Sequence, residues 1–138
     1  MQTFEDLDCW KKITALRVKL SSLVKEFPAE ERFRLVDQII RASRSATANL
    51  AEGYGRYHYQ ENIQFCRHSR GSLYEVLDHV ILARDEKFIA EDQFNEIKIE
   101  IRQSIAVLNG YINYLSRAKA QNKEVKEPEL YYQLTNND

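Results

Sequence analysis

Three histidines, two cysteines and scattered carboxylates are the side chains in this sequence that could do chemistry. His58, His68 and His79 share no metal-ligand spacing, and none stands where it would activate a serine or cysteine nucleophile. Glu75 and His79 lie one helical turn apart with Asp78 beside them. A di-iron centre in a helical bundle, however, needs paired Glu-x-x-His repeats, and the sequence contains none. Cys66 and His68 fall on different faces of one helical pattern. Gly53-Tyr54-Gly55-Arg56 follows a helix, whereas a phosphate-binding glycine loop precedes one. These patterns lead us to expect no catalytic residue, no metal and no cofactor, and a chain that is not an enzyme.

The arginines are the other chemical resource. Residues 32 to 70 hold seven of them (Arg32, Arg34, Arg41, Arg44, Arg56, Arg67, Arg70) against Asp37, Glu52 and Glu61, a local charge of +4. The rest of the chain carries −5, for a net charge of −1. A sequence pI near 6.3 supplies no strong overall positive field, so a broadly electrostatic nucleic-acid binder is disfavoured. A local interface is still a candidate: Arg44, Arg56, Arg67 and Arg70 for phosphates, with Tyr57 and Tyr59 near a turn for base stacking. The alternative is that these arginines pair with acidic residues of neighbouring helices and the tyrosines cap the end of the fold.

What positions such residues must be helical. Only four glycines and two prolines punctuate 138 residues, and 30% of the chain is charged, a composition of long solvated helices. Cys9, Ile13, Leu16, Leu20, Leu23 and Phe27 recur at alternating steps of four and three, a heptad seam that defines a first helix over 5–26. Pro28 ends it. A second helix is expected over 30–53, opening on Glu30 and Glu31 and burying Phe33, Val36, Ile39 or Ile40, Ser43, Ala46 or Thr47, and Leu50. Gly53 and Gly55 are expected to supply left-handed residues that turn the chain.

A third helix over 60–85 carries Ile63, Cys66, Leu73, Leu77 and Val80, with Gly71 marking close packing. A fourth over 91–119 carries Phe94, Ile97, Ile101, Ile105, Leu108, Ile112 and Leu115. Short links make neighbours antiparallel, so the fold class is all-α: an antiparallel up-down-up-down four-helix bundle over residues 1–120. The tail, 121–138, is polar, has lost the helical period and is expected to be mostly mobile, with Leu130, Tyr131, Tyr132 and Leu134 as its one apolar island.

No apolar run approaches membrane-spanning length, and the start Met1-Gln2-Thr3-Phe4-Glu5-Asp6 has no signal-peptide character, so a cytoplasmic location is expected. Cys9 and Cys66 then read as reduced thiols within the core.

One polar line runs along the second helix: Ser45, Asn49 and Glu52 at helical spacing, near the buried stripe. In an antiparallel hairpin with the third helix, Arg41 lies level with Glu75. A buried Arg41–Glu75 pair completed by Ser45, Asn49 and Ser72 would fix helix register, the structural reading of these residues.

The run Gln38, Ile39, Arg41, Ala42, Ser45, Asn49, Ala51, Glu52, Gly53, Gly55, Arg56 resembles a family of small bacterial helical proteins, the 23S ribosomal RNA intervening-sequence proteins. So do the Phe4-to-Trp10 start, Phe27-Pro28 with Glu31 and Phe33, and Gly71-Ser72-Leu73-x-Glu75. The likeness covers about residues 4 to 118. It implies an up-down-up-down bundle assembled as a homopentamer, often of unassigned function. The family is similar to the accessory variability determinant of diversity-generating retroelements, a strongly basic pentamer that engages a reverse transcriptase and nucleic acid. The present chain departs from that relative in its charge.

Apolar residues off the main stripes, Phe4, Leu7 and Trp10 in the first helix and Ile99, Val107 and Tyr114 in the fourth, are candidate contacts for copies of the chain. Two functions are therefore expected: a self-assembling scaffold or adaptor, or a nucleic-acid-binding accessory protein using the arginine-rich second and third helices.

Overall fold

Cys9, Ile13, Leu16 and Leu20 are buried along one side of a helix, α1 (Asp8–Leu23), and three further helices close around that seam. They are α2 (Leu35–Tyr54), α3 (Tyr59–Asp85) and α4 (Glu91–Ala120), as seen in a computed structural model that describes residues 3–121. The protein is an all-α four-helix fold, and no strand occurs among the described residues. Each helix packs on two others, in the order α1–α2, α2–α3, α3–α4 and α4–α1, with the broadest contact between α2 and α3. Phe94, Leu20, Ile39, Leu73, Ile101 and Leu108 are all but fully buried at the centre. The expected tail, including Leu130, Tyr131, Tyr132 and Leu134, lies outside the described residues.

The helix expected over 5–26 is observed in three pieces. Phe4–Asp6 forms a short 3-10 turn closed by Thr3, whose hydroxyl accepts from the Glu5 N–H (3.4 Å) while the Asp6 carboxylate accepts from the Thr3 N–H (3.3 Å). Leu7 is then extended (ψ 127°) before α1 begins. At the other end Val24–Glu26 tightens into 3-10 geometry ahead of Pro28.

α2 starts five residues later than the acidic pair suggested. Ala29–Glu31 is a separate 3-10 turn, and Arg34 (φ −118°, ψ −106°) breaks the helical path. Glu31 acts across that break, its carboxylate accepting from the Leu35 N–H at 3.2 Å and so satisfying one of the free donors of the first turn. The rotation leaves Phe33 83% exposed, with the Arg32 guanidinium over its ring at 5.2 Å. The expectation that Phe33 fills the core is therefore wrong: the helical register that would bury it begins only at Leu35.

The glycine expectations also change. Neither Gly53 nor Gly55 has positive φ, and the left-handed residue of this turn is Tyr57 (φ 52°). Gly53 is instead buried inside α2, and a Cβ there would stand 2.7 Å from Phe65 Cβ and 2.9 Å from Asn62 Oδ1. Gly71 meets nothing within 4 Å, so it marks no close packing. α3 ends with Lys87 in the left-handed region (φ 63°) and the Phe88 N–H bonded back to Ala83 O at 2.8 Å. This is a Schellman closure, and it brings Phe88 beside Phe27 (ring centroids 5.7 Å apart).

Candidate functional surface

Small residues draw α2 and α3 together, and their polar groups then bond across the seam. Ser69, fully buried, donates to the carbonyl of Ala46 at 2.7 Å, and Ser72 donates to Ser45 Oγ at 2.9 Å. The Asn49 amide donates to Ser45 twice, to its carbonyl (2.8 Å) and its hydroxyl (3.0 Å). Ser45, Asn49 and Ser72 thus form one connected cluster.

Arg41 and Glu75 take no part in it. Arg41 is 81% exposed and pairs with Asp37 on its own helix (3.6 Å), while Glu75 lies 3.5 Å from His79, again one turn along. Glu52 also looks outward, to Arg56 at 3.2 Å. The expected buried ion pair is corrected on physical grounds. Desolvating both charges is costly; Arg41 finds Asp37 one turn away, and Arg41 and Glu75 both keep most of their side chains in water.

A second interior network has no counterpart in the sequence reading. Buried Asn62 donates to the Tyr111 hydroxyl at 3.2 Å, and its carbonyl oxygen lies 3.5 Å from Cys66 Sγ. Asn62, Cys66, Ser69 and Leu73 share one face of α3 at steps of four, three and four, and all four are buried. That spacing was the available signal, since polar residues at core register need partners. Burial holds the Tyr111 phenol well above its ordinary range, partly offset by the Asn62 bond. It also pushes Cys9 up to about 11 and Cys66 up to about 12. Both thiols are free and buried, so neither presents a thiolate nucleophile near neutral pH. No group of three His, Cys, Asp or Glu that could hold a metal occurs among the described residues.

The candidate phosphate-binding residues are dispersed. Arg44 lines a groove between α1 and α2. Arg56, at the end of α2, pairs with Glu52 and lies over Phe65 at 5.2 Å. Arg67 is exposed on α3, and Arg70 donates to Asn109 of α4 at 2.9 Å. Tyr57 is half-buried against Tyr54, and Tyr59 packs against the core at the start of α3. Arg67 and Arg70 are neighbours one turn apart on α3, whereas Arg44 lies at the α1–α2 groove and Arg56 at the end of α2.

The candidate assembly residues divide differently. Leu7 is only 4% exposed and belongs to the core, so it is removed from that set. Phe4 and Trp10 are half-buried and meet edge to face at 5.4 Å. Ile99 and Tyr114 are open to solvent, with Val107 between them on α4. No helix among the described residues is long and apolar enough to cross a membrane.

Four helices around one apolar core, with polar side chains bonded across their seams, define a small all-α four-helix protein. Residues 5–110 match the model of the 23S rRNA-intervening sequence protein family, and the chain belongs to that family. Among solved structures it is similar to a protein of unknown function from the S23 ribosomal protein family of Bacteroides thetaiotaomicron. The TM-score is 0.70 at 20% identity, over 76% of this chain and 95% of that one, a likeness of fold. Comparison with curated proteins gives no match.

Proposed function

We propose that this protein is a non-enzymatic bundle that assembles with copies of itself and works as a scaffold or adaptor for another macromolecule. The observation that carries the reading is a second apolar face on α4. Ile99, Val107 and Tyr114 are 57%, 38% and 49% exposed, whereas Ile97, Ile101, Leu108 and Ile112 on the same helix fill the core. Aligned apolar side chains in water mark a contact surface. A depression of about 380 Å³ beside α1, lined in part by Val107, Gly110 and Tyr114, extends that face.

The helices are read as antiparallel, in up-down-up-down order. Lys12 meets Gln103 while Lys19 meets Glu96, and Asn62 meets Tyr111 while Arg84 covers Phe94, each pairing running in opposite numerical order. Five copies in a ring is the assembly that the family resemblance implies. The unpaired core thiols suit a reducing, cytoplasmic setting. Nucleic-acid recognition by α2 and α3 is the weaker reading, because Arg44 lines the separate groove between α1 and α2 and Arg56 and Arg70 already hold protein partners.

Light scattering on the full chain at low micromolar concentration is expected to return a discrete oligomer. The double variant Ile99→Glu/Val107→Glu is expected to return a smaller species with an unchanged helical circular-dichroism spectrum. A wild-type chain that stays monomeric across that range removes the reading.

A further inference from the structure

We propose that the groove between α1 and α2 binds a small ligand carrying two or more phosphate groups. Arg17 and Ser21 of α1 and Lys25 of the 3-10 turn that follows it repeat at steps of four residues, and Ser43 and Arg44 of α2 face the same groove. Its volume is about 520 Å³, within the usual range of roughly 300–1,000 Å³ for small-molecule sites. No carboxylate lines it.

Paired and unpaired cations both occur in the bundle, and what marks this groove is that three unpaired ones line one concavity. Lys19, Arg41, Arg56 and Arg84 each have a carboxylate partner on their own or a neighbouring helix. Among the described residues, Arg17, Lys25 and Arg44 have none within 4.0 Å. The nearest acidic residues in sequence are engaged elsewhere: Glu26 accepts from Gln93 of α4, and Asp37 pairs with Arg41. Three positive charges are thus gathered at the lining of one concave site.

Arg17 is also held in place. Its Nη1 donates to Thr47 Oγ1 at 2.7 Å, and the Thr47 hydroxyl in turn lies 3.3 Å from the Arg44 carbonyl. One of its five N–H donors is used, and the half-buried guanidinium keeps the rest in a fixed plane. A pre-positioned fork of this kind suits phosphate oxygens and loses little freedom on binding. The exposed Ser21 and Ser22 hydroxyls add donors that phosphate accepts, whereas Ser43 donates to the Ile40 carbonyl at 3.0 Å. The lining contains no aromatic ring, only Val18 and Ile40 as apolar contacts, so nothing stacks a base and recognition falls on the phosphates. None of the lining residues belongs to α4, whose apolar face is a separate surface.

Isothermal titration of the full chain with pyrophosphate, with ATP and with a structured RNA tests this. One site per chain is expected for pyrophosphate or ATP, weakening as salt rises. Arg44→Gln and Lys25→Gln, both exposed and free of core packing, are each expected to weaken binding about tenfold or more, whereas Lys11→Gln, outside the groove, leaves it unchanged. Absence of binding to both small probes overturns the proposal, as does binding that survives both groove variants. RNA bound where neither small probe binds also overturns it and gives the groove to a phosphodiester backbone.

Discussion

Replacing Phe94 with alanine is expected to destabilise the protein by about 3–5 kcal/mol. Phe94 is 2% exposed and is the largest of the side chains that are essentially sealed from water. It opens α4, one turn after Ala90, whose N–H is held by the Gln93 side chain at 3.0 Å. The Arg84 guanidinium covers the ring at 4.3 Å, and Lys98 lies 5.6 Å from its centroid. Truncation therefore removes apolar burial, leaves a cavity between α3 and α4, and uncovers two cations from a π face. Urea unfolding at one fixed protomer concentration is the measurement, because self-association would otherwise shift the apparent stability. A loss under about 1 kcal/mol would mean that this end of the bundle is not packed as described.

Gly53→Ala is expected to destabilise by about 1–3 kcal/mol even though alanine is the better helix former. The new methyl group would meet Phe65 Cβ at 2.7 Å and Asn62 Oδ1 at 2.9 Å. Asn62 could turn its amide only by leaving Tyr111 and Cys66. Phe65 Cβ cannot turn at all, being fixed to its backbone, so the α3 backbone has to retreat from α2. Gly71→Ala supplies the control: with open space around that position, the same substitution is expected to stabilise by about 0.5–1 kcal/mol. If Gly53→Ala gains stability as Gly71→Ala does, close approach is not what glycine provides at position 53.

Much of the fold was legible because a repeating apolar step forces a face. The alternating four-three seam from Cys9 to Leu20 is buried as read, and so is the stripe from Phe94 to Leu115. Reading failed where local hydrogen bonds override the repeat. Phe33 has core spacing from Val36, but the break at Arg34, bridged by the Glu31 carboxylate, turns it into water. Leu7 was assigned to an outer face because the first helix was extended through it, whereas the extended backbone at Leu7 directs its side chain inward.

The candidate site was less legible still. Ser45, Asn49 and Ser72 do meet, since short side chains bond only to what lies beside them. Arg41 and Glu75 have long, flexible charged side chains, and register alone does not decide which partner they reach. The Arg17, Lys25 and Arg44 groove is a property of two helices seen together, and a scan of charge along one segment divides it between a neutral stretch and a basic one.

The broadest and the narrowest helix seams of the bundle are built from different materials. α2 and α3 meet through small residues, among them buried Ala46, Gly53 and Ser69. The rim between α1 and α4 is laced by Lys12 to Gln103, Lys19 to Glu96 and Glu100, and Gln93 to Glu26, all of it in solvent. Ionic strength therefore acts on the charged contacts that cross the α1–α4 rim, whereas the bonds that cross the α2–α3 seam join neutral groups. The α2–α3 pair is the chassis, and α1 is the panel whose fit the surrounding electrolyte adjusts.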